Sequence, residues 1–390
     1  ECTNLTTVEM PDSITEVGSA CFRYDTKLEN VKLSNNLKVL SNEVFANCSS
    51  LKSIELPENL KQIGKQCFSG TNITEMKLPK NLQTIVNGSS LPQKLQTIDT
   101  SENNYFEFID GVLYTKDLKT LVLALSNVTS ANIEESVETI SGSAFANCSS
   151  LTTINIPTNV KSIESLAFAN SKLSKITVSS GNNYFSTDER YNLYNKEGTI
   201  LYRCFDKGNI TIKDGVQNIK SGALLNNGTI TGITLPESYI GDTTTVWGTF
   251  PTLDYIYLPK NVKSVNKSAY QNIKNIEVSP ENPYLNSINN EYIVSEDGTE
   301  LYWVKSELTD VQIPNTVKTI KSYALMNTKA ENIVLPSRTE RIENNIIGGS
   351  TSIKKIEIQS NIKEISSIAF SNASNLSEII IHKEAGSISG

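Results

Sequence analysis

The sequence predicts a β-dominated solenoid built from short stacked coils. An apolar pattern returns every 22 or 23 residues, legible at Leu51, Ile54, Leu56, Pro57, Leu60, Ile63, Cys67 and Phe68, with a new start at Ile73. It recurs from Leu28 and from Leu151. A unit this short cannot bury its own apolar side and must stack on its neighbours. Within each unit apolar residues alternate, as in Ile54-Glu55-Leu56, which is the period of a strand with one buried face.

Coil starts fall at Leu5, Leu28, Leu51, Ile73, Leu95, Val128, Leu151, Leu173, Lys207, Ile230, Leu253, Ile273, Leu308, Ala330, Ile353 and Leu376. Each coil opens with a Leu-x-x-Ile-x-Leu strand, and these strands are expected to pair into one long parallel sheet. Pro57, Pro79, Pro157, Pro236, Pro259, Pro314 and Pro336 follow directly. Proline has no N–H for a ladder, so it ends the strand and turns the chain. A second short extended piece follows, as at Leu60 to Ile63. Then comes Ala-Phe or its equivalent, in a segment such as Glu164 to Asn170, too short for a stable isolated helix. One helical turn is the most expected there. Asn and Ser beyond it, as in Asn147-Cys148-Ser149-Ser150, suit a tight bend into the next coil.

Three coils are longer, at about 95–127, 173–206 and 273–307. They share a motif: Glu102-Asn103-Asn104-Tyr105-Phe106 matches Gly181-Asn182-Asn183-Tyr184-Phe185 and Glu281-Asn282-Pro283-Tyr284-Leu285. Leu121, Leu201 and Leu301 then occupy one register, after turns in which Gly198 and Gly298 supply the positive φ. Each is read as an ordinary coil whose return path carries a β-hairpin. Tyr105, Tyr184 and Tyr284 are expected to pack on the coil, with Tyr202, Tyr302 and Trp303 turned outward.

A compact chain of 390 residues would normally divide. A repeat array grows in one dimension, so a single domain over 1–390 is expected, about 70 Å long for about 15 steps of 4.8 Å. A formal charge of −7, with arginine confined to Arg23, Arg190, Arg203, Arg338 and Arg341, argues against nucleic acid and anionic membranes as partners. No apolar stretch of 18 residues could span a bilayer. The first residues already read as repeat, so the chain is expected to be a mature or trimmed piece. Six cysteines invite a disulfide reading. However, Cys2, Cys48 and Cys148 share one repeat position and Cys21 and Cys67 another, and equivalent positions two coils apart are about 10 Å apart, too far to bridge. Buried free thiols are expected.

The string Leu51-Lys52-Ser53-Ile54-Glu55-Leu56-Pro57, continuing through Ile63 and Phe68, resembles the BspA-like leucine-rich repeat. So do Ala144-Phe145-Ala146-Asn147-Cys148-Ser149-Ser150-Leu151 and the hairpin motif Asp110-Gly111-Val112-Leu113-Tyr114. The resemblance covers essentially the whole chain. Departures are Ser34 at the proline position, Asn87-Gly88-Ser89 in place of Ala-Phe, and a final coil that decays after His382. The resemblance implies a right-handed leucine-rich-repeat solenoid of the α/β horseshoe-type class. It also implies a bacterial or protist protein, cell-surface or secreted, often adhesive towards host proteins or other cells.

Catalytic chemistry finds little support. His382 is the lone histidine, near the end of the chain, and triads and dyads need an imidazole held by a partner. No His/Cys metal cluster and no Gly-rich phosphate loop occurs. Ser295-Glu296-Asp297-Gly298-Thr299-Glu300 lacks calcium-loop spacing and reads as a hairpin turn. The acids Glu55, Asp99, Glu277 and Glu357 alternate with Lys32, Lys77, Lys175 and Lys355, as on a mixed-sign sheet face. No enzyme, cofactor or metal is expected.

Binding residues are sought where Leu-x-x-Ile-x-Leu faces outward. Most coils place Thr, Ser, Lys, Glu or Asn there, but the coil at Leu253 presents Tyr255 and Tyr257, just after Trp247 and Phe250 and downstream of Tyr239. Exposed aromatics bury much area at low entropy cost. A ligand-binding patch is therefore expected at Tyr239, Trp247, Tyr255 and Tyr257, with core filling the competing role for Trp247 and Phe250. The expected partner is a protein or glycan ligand, such as host extracellular matrix or another cell surface. A carbohydrate-binding module and a structural spacer are the alternatives.

Overall fold

A computed structural model describes residues 2, 4–225, 229–241, 253–265, 273–382 and 387–388. The chain is a β-solenoid that divides into two compact units, residues 1–205 with 220–226 and residues 206–219 with 227–390.

In the first unit, opening strands pair in parallel and in repeat register: Thr7–Glu9 with Asn30–Lys32, Glu75–Lys77 with Thr97–Asp99, and Thr153–Ile156 with Lys175–Val178. A second row of two-residue strands runs alongside, with Glu16–Val17, Val39–Leu40, Gln62–Ile63 and Thr84–Ile85 in order. The second unit repeats the plan. Gly208–Thr211, Ile230–Thr234, Tyr255–Leu258 and Asn275–Val278 form one parallel sheet, and Asn332–Leu335, Lys355–Ile358 and Glu378–Ile381 another. The opening strands therefore make several short sheets rather than the single long one expected. Residues 51–56 form no strand, although Leu51 and Leu56 are buried and Lys52, Ser53 and Glu55 are exposed. Burial holds the alternation there without a ladder.

Each long coil carries antiparallel strands. Phe106–Ile109 pairs with Val112–Thr115, which pairs with Thr120–Ala124; the latter joins the second row in parallel through Thr139–Ile140. Phe185–Thr187, Leu193–Asn195 and Ile200–Arg203 repeat this, as do Leu285–Ile288, Tyr292–Ser295 and Glu300–Val304. One buried asparagine anchors each motif. Asn182 Nδ2 donates to the Pro157 and Val160 carbonyls at 2.7 and 2.9 Å, while its Oδ1 accepts from the Tyr184 and Phe185 N–H groups. Asn103 and Asn282 make the same four bonds.

The Ala-Phe segments are linked turns, not helical turns. Glu43 and Asn47 have φ of 58° and 63°, and Ser143 and Asn147 have 61° and 62°. Two left-handed residues four apart cannot belong to a right-handed helix. Among the described residues the one helical piece is a 3-10 turn at Gly88–Ser90, where Ala-Phe was expected. Asn87 caps it, accepting from the Ser89 N–H at 3.1 Å. Ser34, at the proline position, is fully buried and donates its hydroxyl to the Ile14 carbonyl at 2.6 Å.

The interior repeats coil on coil. Phe22, Phe45 and Phe68 stack with ring centroids 5.6 and 5.7 Å apart, and Phe145 stacks on Phe168 at 5.9 Å. Leu28, Leu37, Leu51, Leu60 and Ile63 fill the space beside the first stack. All six cysteines are free. Cys48, Cys67, Cys148 and Cys204 are buried, but Cys2 and Cys21 are exposed, against expectation.

Candidate functional site

The Tyr255–Leu258 strand lies between Ile230–Thr234 and Asn275–Val278. Ile256 sits in register with Ile233 and Ile276, and all three are buried. The pleat therefore sends Tyr255 and Tyr257 to the opposite face, where each is half-buried. Gly232 stands opposite Tyr255; a Cβ there would come 3.3 Å from the Tyr255 ring and 2.6 Å from the Asn209 carboxamide oxygen. The missing side chain lets the tyrosine lie across its neighbour.

Each phenol is tied to an acid of the same face. Tyr255 donates to Glu277 at 2.9 Å and Tyr257 donates to Glu237 at 2.6 Å. Burial, and then the Glu277 carboxylate, push the Tyr255 phenol up to about 12. Burial and Glu237 raise Tyr257 likewise. Burial opposes ionisation of Glu237, but hydrogen bonds from Tyr257 and the Lys260 N–H outweigh it and hold the carboxyl below its usual range. Around this core, Lys274 pairs with Asp254 at 3.0 Å and Lys260 lies 3.7 Å from Glu281. The arrangement is two oriented aromatic faces in a frame of alternating charge. It offers stacking and hydrogen-bonding groups, with no oriented nucleophile–base pair.

Tyr239 does not join this surface. Its side chain is fully buried at the repeat position that holds Leu60 and Leu82 in other coils, so it fills the interior. Trp247 and Phe250 lie outside the described residues. Trp303, expected outward, is fully buried. Tyr202 is half-buried, edge-on to Phe185 at 5.2 Å, and Tyr302 donates to Glu300 at 2.7 Å. The hairpin tyrosines Tyr105, Tyr184 and Tyr284 keep about 40 % or more of their surface exposed, so they rest on the coil edge instead of packing within it. Lys263 stands 5.2 Å from the Tyr284 ring centre.

Sequence reading missed the acids Glu237 and Glu277 as partners of the tyrosines. Their one-dimensional signal was the 22-residue and 20-residue offsets from Tyr255 and Tyr257, one coil away on either side. His382 is exposed, 3.5 Å from Glu357. Among the described residues no cluster of three His, Cys, Asp or Glu side chains could hold a metal ion, and no helix is long and apolar enough to cross a membrane.

A family model described as BspA type leucine rich repeat region matches residues 1–92, 116–201, 189–292 and 298–390, in six copies. No curated protein matches. Among solved structures, the chain is similar to a leucine rich cell surface protein from Faecalibacterium prausnitzii, at 19 % identity over 98 % of this chain and 81 % of that one, with a TM-score of 0.38. A leucine-rich repeat protein from Eubacterium ventriosum matches at 18 % identity, over 95 % and 77 %, with a TM-score of 0.42. The pneumococcal vaccine antigen PcpA matches at 19 % identity, over 97 % and 79 %, with a TM-score of 0.37.

Proposed function

Because the chain belongs to the BspA type leucine rich repeat family, we propose that it is a non-enzymatic binding protein of the cell surface or the secreted space. It acts in adhesion, engaging a host or matrix protein through the outward face of its opening strands. The observation that carries this reading is the pair Tyr255 and Tyr257, half-buried on a face where most other opening strands present small polar or charged side chains, Val334 and Ile380 being aliphatic exceptions. Their hydroxyls are held by Glu277 and Glu237, so the rings are oriented before a partner arrives. Ordering paid in advance favours affinity, and tyrosine is enriched among residues that dominate binding energy.

The test is a panel of immobilised extracellular-matrix proteins beside a glycan array, probed with the wild-type chain and with Tyr255→Ala/Tyr257→Ala. Saturable binding to a matrix protein, weakened at least about tenfold in the variant, is expected. Binding to glycans alone would support the carbohydrate-module alternative. Binding to a matrix protein that survives the double replacement, with the fold intact, would remove the tyrosine pair from the site.

A further inference from the structure

Elsewhere in this chain a tyrosine held by an acid is completed by a cation. Tyr302 donates to Glu300 at 2.7 Å, and Lys321, from the next coil, lies 5.8 Å from the Tyr302 ring centre and 3.5 Å from Glu300. Other tyrosine rings also have a lysine of their own: Lys175 stands 4.4 Å from the Tyr191 ring centre and Lys263 5.2 Å from that of Tyr284. The ring quadrupole attracts a cation over its face, and a carboxylate beside it adds the opposite charge.

Tyr255 and Tyr257 have acid partners of the same kind, Glu277 and Glu237, but no such cation. Among the described residues no lysine or arginine lies over either ring, and neither acid is in an ion pair. The nearby lysines are matched to other acids, Lys274 to Asp254 and Lys260 to Glu281. Glu277 is exposed and accepts from Tyr255 on one oxygen alone. A carboxylate has about four lone-pair sites, so both acids keep room for a further donor. Two carboxylates are thus left uncompensated beside two half-buried rings. Tyr255 and Tyr257 stand two residues apart on one strand face, about 6.6 Å, which is also the spacing of alternate side chains in an extended partner segment.

We propose that the pair selects a cationic segment of a partner protein. One arginine or lysine side chain lies over the Tyr255 ring and pairs with Glu277, and a second, two residues away, does the same at Tyr257 and Glu237. This inference rests on the reading of the two tyrosines as the binding site. Arginine suits it better than lysine, because a planar guanidinium stacks on a ring and bonds a carboxylate together. An acidic glycan would meet two like charges and be rejected.

The test is calorimetric titration of the chain, at several salt concentrations, with the capped peptides Thr-Arg-Thr-Arg-Thr, Thr-Gln-Thr-Gln-Thr and Thr-Glu-Thr-Glu-Thr. Saturable binding of the arginine peptide is expected, weakening as salt rises, with none of the other two. Glu277→Gln keeps an acceptor for the Tyr255 hydroxyl and removes the charge, so it should weaken the arginine peptide about tenfold. Glu331→Gln, which removes the charge paired with Lys354 in the same unit, should leave it unchanged. Absence of saturable binding, equal binding of the arginine and glutamine peptides, or arginine binding indifferent to Glu277→Gln overturns the selection of cations. In each of these cases a matrix protein whose binding still needs the tyrosines leaves the site itself standing. Arginine binding that survives Tyr255→Ala/Tyr257→Ala removes the site as well.

Discussion

At the residue scale, burial sorts chemically identical side chains into different roles. Burial pushes the Cys48 and Cys148 thiols up to about 12, and raises Cys67 as well. The thiolate is the reactive form, so these three are inert at neutral pH. Cys2 and Cys21, two coils earlier in the same repeat positions as Cys48 and Cys67, are exposed. An aromatic disulfide reagent at pH 8 should therefore label two thiols quickly and the remaining four only on denaturation. Rapid labelling of four or more would show that the interior is open. The repeat register placed these cysteines in equivalent positions, but equivalence along the chain does not by itself give burial. Tyr239 and Trp303 show a similar limit: an aromatic outside the usual alternation can fill the interior as well as face the solvent, and the amino-acid type alone does not decide.

At the scale of elements, much was legible. The alternation of Thr153–Ile156 and Tyr255–Leu258 gave strand and facing together, and the prolines marked the strand ends. The turn ladder was visible only in part. Asn59, Asn81, Asn159 and Asn261 each follow proline by two residues, and each donates its carboxamide to a carbonyl of the preceding coil. The left-handed positions were half-legible: Asn47, Gly70 and Asn147 are residue types that tolerate φ above zero, whereas Glu43, Gln66 and Leu166 are not. Tertiary stacking imposes that conformation, which is why these segments hold linked turns and stop short of the one helical turn that was the most expected there. The shared asparagine of the long coils gives the sharpest test. Asn182→Ala removes four hydrogen bonds from a buried site and leaves the Pro157 and Val160 carbonyls without it. A loss of about 2–4 kcal/mol in denaturant unfolding is expected. The exposed Asn159→Ala, which loses one bond to the Glu135 carbonyl, should cost below about 1 kcal/mol. Equal costs would mean that the asparagine does not anchor the hairpin.

At the scale of the whole molecule, periodicity revealed the architecture because every coil must satisfy the same packing condition. It revealed little of the ligand, because outward positions are free of that condition and vary from coil to coil. We propose that the chain nevertheless melts as one domain, since each coil is completed by the next. A calorimetric scan should show a single transition, and two resolved transitions would separate the units. The central claim is a division of labour within one strand, the inward row holding the fold and the outward row left for recognition. Denaturant unfolding of Ile256→Ala beside Tyr255→Ala/Tyr257→Ala tests it most directly. Ile256 is fully buried, so its replacement should cost about 2–5 kcal/mol, and the double tyrosine variant should lose less than that single change. A double variant that unfolds as readily as Ile256→Ala, or an Ile256→Ala chain as stable as wild type, would contradict it.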